Sequence, residues 1–217
     1  MLTETQHAAG ALVSESNGTR SRENITILAG SGAARVLLAG QSISKLFAGT
    51  GVSAADAGNT GDGTMGALTV GARAKVGAYE LVCIEPATDA GMFLLTDPDG
   101  VVIGVATVAS AFTSLHLSFT LADGSANFIA GDRFTLTVTE GASKWLAFDQ
   151  DLTTGEQFVD GILRDDVTAP DAVDATGVAY VRDCEFNGGE IVWPADITGA
   201  EQTEAEVQLA KLGIIAR

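Results

Sequence analysis

Phe93-Leu94-Leu95-Thr96-Asp97-Pro98-Asp99-Gly100-Val101-Val102-Ile103 is the stretch that decides the fold class. Asp, Pro and Gly stand at the first, second and fourth positions of a type I turn, and the apolar runs on either side are too short for helices. The segment therefore reads as a β-hairpin. Downstream, Leu115, Leu117, Phe119 and Leu121 alternate with polar or small residues, as do Phe134, Leu136 and Val138, so each segment presents one apolar face. Asp123-Gly124 and Ala130-Gly131-Asp132 supply turns between them. Several strands between Gly58 and Gly141, with no helical segment, predict a small sandwich or barrel.

The β pattern continues beyond this region. Lys144-Trp145-Leu146-Ala147-Phe148 and Phe158 to Leu163 read as strands, and Val178, Tyr180, Cys184 and Phe186 read as one face of a single longer strand. One helix is expected, from Thr198 to Lys211, because Thr198-Gly199-Ala200-Glu201 fits a capping box and Gly213 is placed to end it. Ile214 and Ile215 return to strand. Toward the N-terminus, Ala48 to Gly66 has the Gly, Ala, Asp and Asn composition of a linker. Ile25-Thr26-Ile27-Leu28 and Arg35-Val36-Leu37-Leu38, separated by Gly30-Ser31-Gly32, read as a pair of strands. Met1 to Asn24 carries almost no large apolar side chains and is expected to be a flexible arm. The predicted organisation is an arm (1–24), a discontinuous domain (25–57 and 142–217) and an inserted β-sandwich domain (58–141). The fold class is mainly β, with one short C-terminal helix.

Lys and Arg number 12 against 28 Asp and Glu, a formal charge of −16 that repels nucleic acid and anionic membranes. No apolar run reaches the ~20 residues needed to span a bilayer, and the first residues have no apolar signal-peptide core. Synthesis in the cytoplasm is the corresponding expectation. Cys83 and Cys184 stand a hundred residues apart in apolar strand-like segments and read more naturally as two small buried side chains than as a disulfide, which stays open as the lesser reading. Asn17-Gly18-Thr19 and Asn24-Ile25-Thr26 match glycosylation sequons that matter only in a eukaryotic secretory pathway.

Candidate chemistry is sparse. His116 alternates with Leu115 and Leu117 and is expected to face away from the core; His7 lies in the arm, and neither has an acid or nucleophile at recognisable spacing. Gly61-Asp62-Gly63 lacks the Gly-Lys-Ser/Thr ending of a phosphate loop. Asp97 with Asp99, and Asp149 with Asp151, have oxygen-ligand spacing but do not continue into a Ca²⁺ loop, and Asp165-Asp166 reads as a solvated edge. No catalytic, cofactor-binding or metal-binding residue is assigned. Trp193-Pro194 reads either as a partner-binding anchor or as a Trp that covers the core, and both readings stay open.

The C-terminal third runs Gly161-Ile162-Leu163, an Asp- and Ala-rich loop, the strand through Tyr180 to Phe186, Glu190-Ile191-Val192-Trp193-Pro194, a short capped helix, and Leu212-Gly213-Ile214-Ile215. This order resembles the bacteriophage head decoration proteins of the lambda type. The resemblance covers Lys144 to Arg217 well and Ile25 to Phe47 more weakly, and it does not extend over Gly58 to Gly141, which compact members lack. It implies a non-enzymatic β-rich subunit without cofactors that forms homotrimers at three-fold and quasi-three-fold positions outside the expanded capsid. Its arm would reach onto the major capsid protein, with Thr3, Thr5, Leu12 and Val13 placed to pair with an exposed strand edge, and Trp193 and Pro194 would be subunit-interface or core anchors. Strong negative charge suits a position outside a DNA-filled shell. The alternative is a secreted bacterial adhesion or surface-layer module stabilised by Ca²⁺, which calls for a signal sequence and repeated Asp-rich loops. A hydrolase on a β scaffold, a third class, calls for a convergent His, Ser and carboxylate set.

Overall fold

In the computed structural model, which describes residues 10–217, the chain forms two compact units. The first comprises the residues up to Leu46 together with Lys144–Arg217, and the second is Phe47–Ser143. The first unit opens with β1 (Leu12–Glu15), a one-turn helix α1 (Gly18–Ser21), β2 (Arg22–Ile27), β3 (Arg35–Leu37) and β4 (Ser42–Leu46). The second holds β5 (Gly49–Ala55), β6 (Thr69–Val70), β7 (Gly77–Ala87), β8 (Ala90–Thr96), β9 (Val102–Thr107), β10 (Ala111–Thr113), β11 (Leu117–Thr120) and β12 (Arg133–Glu140). The chain then returns through β13 (Lys144–Ala147), β14 (Gly161–Leu163), β15 (Val167–Ala169), β16 (Ala175–Tyr180), β17 (Cys184–Phe186), α2 (Gly199–Lys211) and β18 (Ile214–Ala216).

In the second unit, period-two alternation puts Tyr79, Leu81 and Cys83 of β7, Phe93 and Leu95 of β8, and Phe134, Leu136 and Val138 of β12 on one buried face. The antiparallel sheet β5-β12-β7-β8-β9 shares this core with the sheet β10-β11-β6, which contributes Leu117 and Phe119. The hairpin expected at Asp97–Gly100 joins β8 to β9: Gly100 N donates to Asp97 O at 2.9 Å, and Asp97 Oδ1 accepts from the amides of Asp99 and Val101. Lys75 Nζ donates to Asp97 Oδ2 at 2.5 Å and, with backbone N–H groups, holds that carboxyl below the usual carboxylate range.

Three expectations for this region need correction. Gly49–Ala55 is not linker but strand β5, paired with β12 from Gly49↔Glu140 to Ala55↔Phe134. Its glycines serve close approach: a Cβ on Gly51 would meet Leu68 Cδ2 at 2.7 Å, and one on Gly49 would meet Thr139 O at 2.6 Å. Gly61 and Gly63 likewise lie against the Phe128 ring, while Asp62 accepts from Ala126 N and Ser125 Oγ. Leu115 stands outside β11, and His116 turns inward, with its Nδ1 3.0 Å from the oxygen of fully buried Tyr79; burial pushes the imidazole pKa down.

The first unit is built on a closed five-stranded barrel, β13-β2-β16-β14-β4. Ile25, Ile27, Ile43, Trp145, Leu163 and Ala179 form one buried cluster from its strands. A second cluster lies under α2 and the sheet β1-β17-β18, where Ala205 and Leu209 of the helix meet Phe148, Tyr180, Phe186 and Ile214. The helix begins at the expected capping box between Thr198 and Glu201, and Gly213, at φ +78°, ends the turn that follows it. The segments at Ile25 and Arg35 do not pair with each other: β2 pairs with β16 and β3 with β15. The loop between them is held elsewhere, by Gly30 N on Pro170 O and Gly32 N on Asp171 Oδ1. Val178 to Phe186 is also not one strand. Asp183, at φ +51°, breaks it, sending β16 into the barrel and β17 into the small sheet.

Candidate functional site

The arm expected to run to Asn24 is folded from its eleventh residue. Ala11 is buried, β1 pairs antiparallel with β17 from Leu12↔Phe186 to Glu15↔Cys184, and α1 turns the chain into β2. Asn17 caps that turn, its side chain accepting from Thr19 N. Charge as well as apolar packing anchors the strand. Glu15 accepts from both Nε and Nη2 of Arg22 and from Ser21 Oγ at 2.6 Å, and its side chain is only 17% exposed. Arg22, by donating to it, holds the Glu15 carboxyl below its ordinary value of 4.5, although burial works the other way. The same guanidinium sits 5.3 Å above the centre of the buried Tyr180 ring. Ser14 Oγ donates to Glu185, and Arg20 pairs with Asp183 at 2.6 Å.

This anchoring fixes where the chain leaves the unit. Phe186 pairs with Leu12 on one side and with Ala216 on the other, Asn187 N donates to Ala11 O, and Gly188 N donates to Arg217 O. Residues 10–11 and Arg217 therefore lie at the same end of the sheet β1-β17-β18. β1 is an edge strand of that sheet, and Val13 on it is 60% exposed. Of the arm residues singled out in the sequence, Leu12 and Val13 are in β1, while Thr3 and Thr5 lie outside the described residues.

Trp193 is half-buried and packs edge-on against Phe148, with ring centroids 6.3 Å apart. Val192, just before it, is fixed by Ser42 N and Ser42 Oγ donating to its carbonyl. Pro194 O accepts from Ile197 N in the turn leading to α2. Trp193 and Leu12 pack against the same apolar cluster, although nothing in their local sequence links them. The indole Nε1 is buried and has no hydrogen-bond partner among the described residues. Glu15, Arg22 and Tyr180 carried no sequence signal, because their meeting depends on β16 crossing β2 more than 150 residues along the chain.

The paired carboxylates have local partners. Asp149 Oδ1 accepts from Asp151 N, Asp165 pairs with Arg164 at 2.8 Å, and Asp166 Oδ1 accepts from Ala39 N. Among the described residues no three His, Cys, Asp or Glu side chains gather as a metal-ligand set. Both thiols are free and buried, and burial pushes Cys184 up to about 12. No helix among the described residues is long and apolar enough to cross a membrane.

The family model of the bacteriophage lambda head decoration protein D matches residues 1–214. The chain belongs to that family. Membership gives it a structural role on the phage capsid, a location in the virion and a capsid partner, and it points away from enzymatic work. The fold is mainly β, with one long helix among the described residues, near the C-terminus, as expected for the family. No curated protein matches the chain. Several solved chains are similar over part of it. FlgL of Xanthomonas campestris is 16% identical with a TM-score of 0.32, covering 49% of this chain and 33% of its own. The flagellar hook junction protein FlgK of Burkholderia pseudomallei is 25% identical with a TM-score of 0.32, covering 54% and 21% respectively. This chain thus spans a third or less of those proteins.

Proposed function

We propose that this decoration-family protein binds the outer surface of the expanded capsid as homotrimers at three-fold and quasi-three-fold positions and stabilises the shell against internal DNA pressure. The match to the head decoration family over residues 1–214 carries the reading. Subunits that bind the assembled shell and not its dissociated parts resist bursting by mass action. A charge of −16 per chain favours the outside of the shell over a place beside packaged phosphates.

The residues ahead of Gly10, Thr3 and Thr5 among them, are the proposed contact with the major capsid protein, as an added strand on an exposed sheet edge. β1, with Leu12 and exposed Val13, gives that segment a fixed root. Ordering an extended segment costs roughly 1 kcal/mol or more per residue, so one arm binds weakly. Three arms on one trimer bind at high effective concentration once the first has docked. Trp193 and Pro194 are the proposed contact between subunits. Synthesis in the host bacterial cytoplasm belongs to the same reading.

Deleting Met1–Ala9 tests it without touching β1 or the Glu15–Arg22 pair. The shortened protein is expected to melt as the full chain does and to bind expanded capsids at least tenfold more weakly. Equal binding by both forms would place the contact on the globular base instead.

A further inference from the structure

Gly100 to Ala122 is a run of 23 residues without Asp, Glu, Lys or Arg, in a chain otherwise rich in acidic groups. It supplies β9, an end strand of the five-stranded sheet. Natural edge strands are usually blunted by Lys, Pro or inward charge, and β9 has none of these. The register sets Val82, Leu94 and Val105 side by side across β7, β8 and β9, on the face turned away from the core. Ile84, Met92 and Val102 surround them at 49, 42 and 56% exposure, and Val105 is 46% exposed. The four most exposed of these side chains leave on the order of 300–400 Å² of apolar surface open, the scale that marks an interaction site.

We propose that this face packs on the same face of a second copy of the chain about a two-fold axis. The area fits that occupant: a stable interface buries about 800 Å² per partner, somewhat more than half of it apolar, and the patch supplies most of that apolar share. The charge pattern fits as well. On this face Arg133 of β12 and Glu80 and Glu85 of β7 lie on one side of the patch, Glu85 opposite Met92, and β8 and β9 themselves carry no charged residue. A two-fold arrangement centred on β8 lays the uncharged β9 of each copy over β7 of the other, so no like charges meet. An isologous contact of this kind closes at two copies and does not propagate. On the decorated shell proposed above, such pairs tie neighbouring subunits together, but the contact itself stands or falls in solution.

The test is sedimentation velocity on the full-length protein and on the full-length V102K/V105K variant, over micromolar to near-millimolar concentration. Both positions are exposed, and circular dichroism and melting verify the fold; V102T/V105T replaces the pair should lysine disturb it. The wild type is expected to reach twice the variant's mass at the same concentration, with more than tenfold tighter association, strengthened by added salt because both copies are acidic. A trimer formed through the first unit would be common to both proteins, so the difference between them still reads this contact. Equal masses at every concentration would overturn the proposal and leave the patch to a partner of another kind.

Discussion

Glu15→Gln removes one charge from the pair that fastens β1 to the barrel and leaves the shape of the side chain almost unchanged. In the folded protein the carboxylate takes two hydrogen bonds from Arg22 and one from Ser21, at a site where its side chain is 17% exposed and that of Arg22 31%. A hydrogen bond to a charged group contributes about 1.5–3 kcal/mol, and Gln keeps part of the geometry, so a loss of about 2 kcal/mol is expected. For a unit of this size that lowers the melting temperature by on the order of 5–10 °C. The pH dependence has a definite sign. Because the folded pKa of Glu15 lies below the unfolded 4.5, its contribution is fully present above 4.5 and is lost as pH falls through the folded value. The variant should therefore show a flatter acid limb as well as a lower plateau. Thermal melts read at Trp145 and Trp193, both in the first unit, measure this, and hydrogen exchange at Leu12–Glu15 should speed up in parallel. An unchanged melt with unchanged exchange would refute the claim that this ion pair holds β1 in place.

Leu46 and Lys144 are directly paired in the β4–β13 ladder, so replacing Phe47–Ser143 by Asn-Gly should close an ordinary two-residue hairpin. The product is expected to fold, to melt within about 1 kcal/mol of the parent's first unit and still to bind capsids; a folded product that no longer binds would assign the contact to the excised unit. Tyr79→Phe takes away the acceptor of the Lys75 amide at 2.7 Å and the partner of His116, and should cost the second unit about 1–3 kcal/mol in urea denaturation. With Cys83 and Cys184 both buried and their thiols pushed up, a thiol reagent at mildly alkaline pH should label the native protein slowly and the denatured protein at once; rapid native labelling would contradict their burial.

What could be read from the sequence was what local chemistry specifies. The Thr198–Glu201 capping box, Gly213 beyond it and the Asp97–Gly100 turn each act within a few residues, and each appears where expected. Alternation along β11 and β12 likewise marked their buried faces. Gly49–Ala55 misled because small residues suit a flexible linker and a closely approached edge strand equally well. β1 misled for another reason: its hold comes partly from Glu15, Arg22 and Ser14, polar residues that also occur in disordered arms. The partners of β2 and β3 lie far along the chain, in β13, β15 and β16, and no turn between the two strands announces that each will pair elsewhere. The same distance hid the site, since Leu12 and Trp193 meet one cluster only once β17 and α2 are in place.

Decoration of the outside of the expanded capsid is read out by adding the purified protein to expanded capsids that lack it and imaging the particles by cryo-electron microscopy. New density is expected on the outer surface at three-fold and quasi-three-fold positions, in trimers, together with capsids that withstand heating or chelation longer than bare ones. Saturating protein with no added density, or density confined to the inner surface, would contradict it.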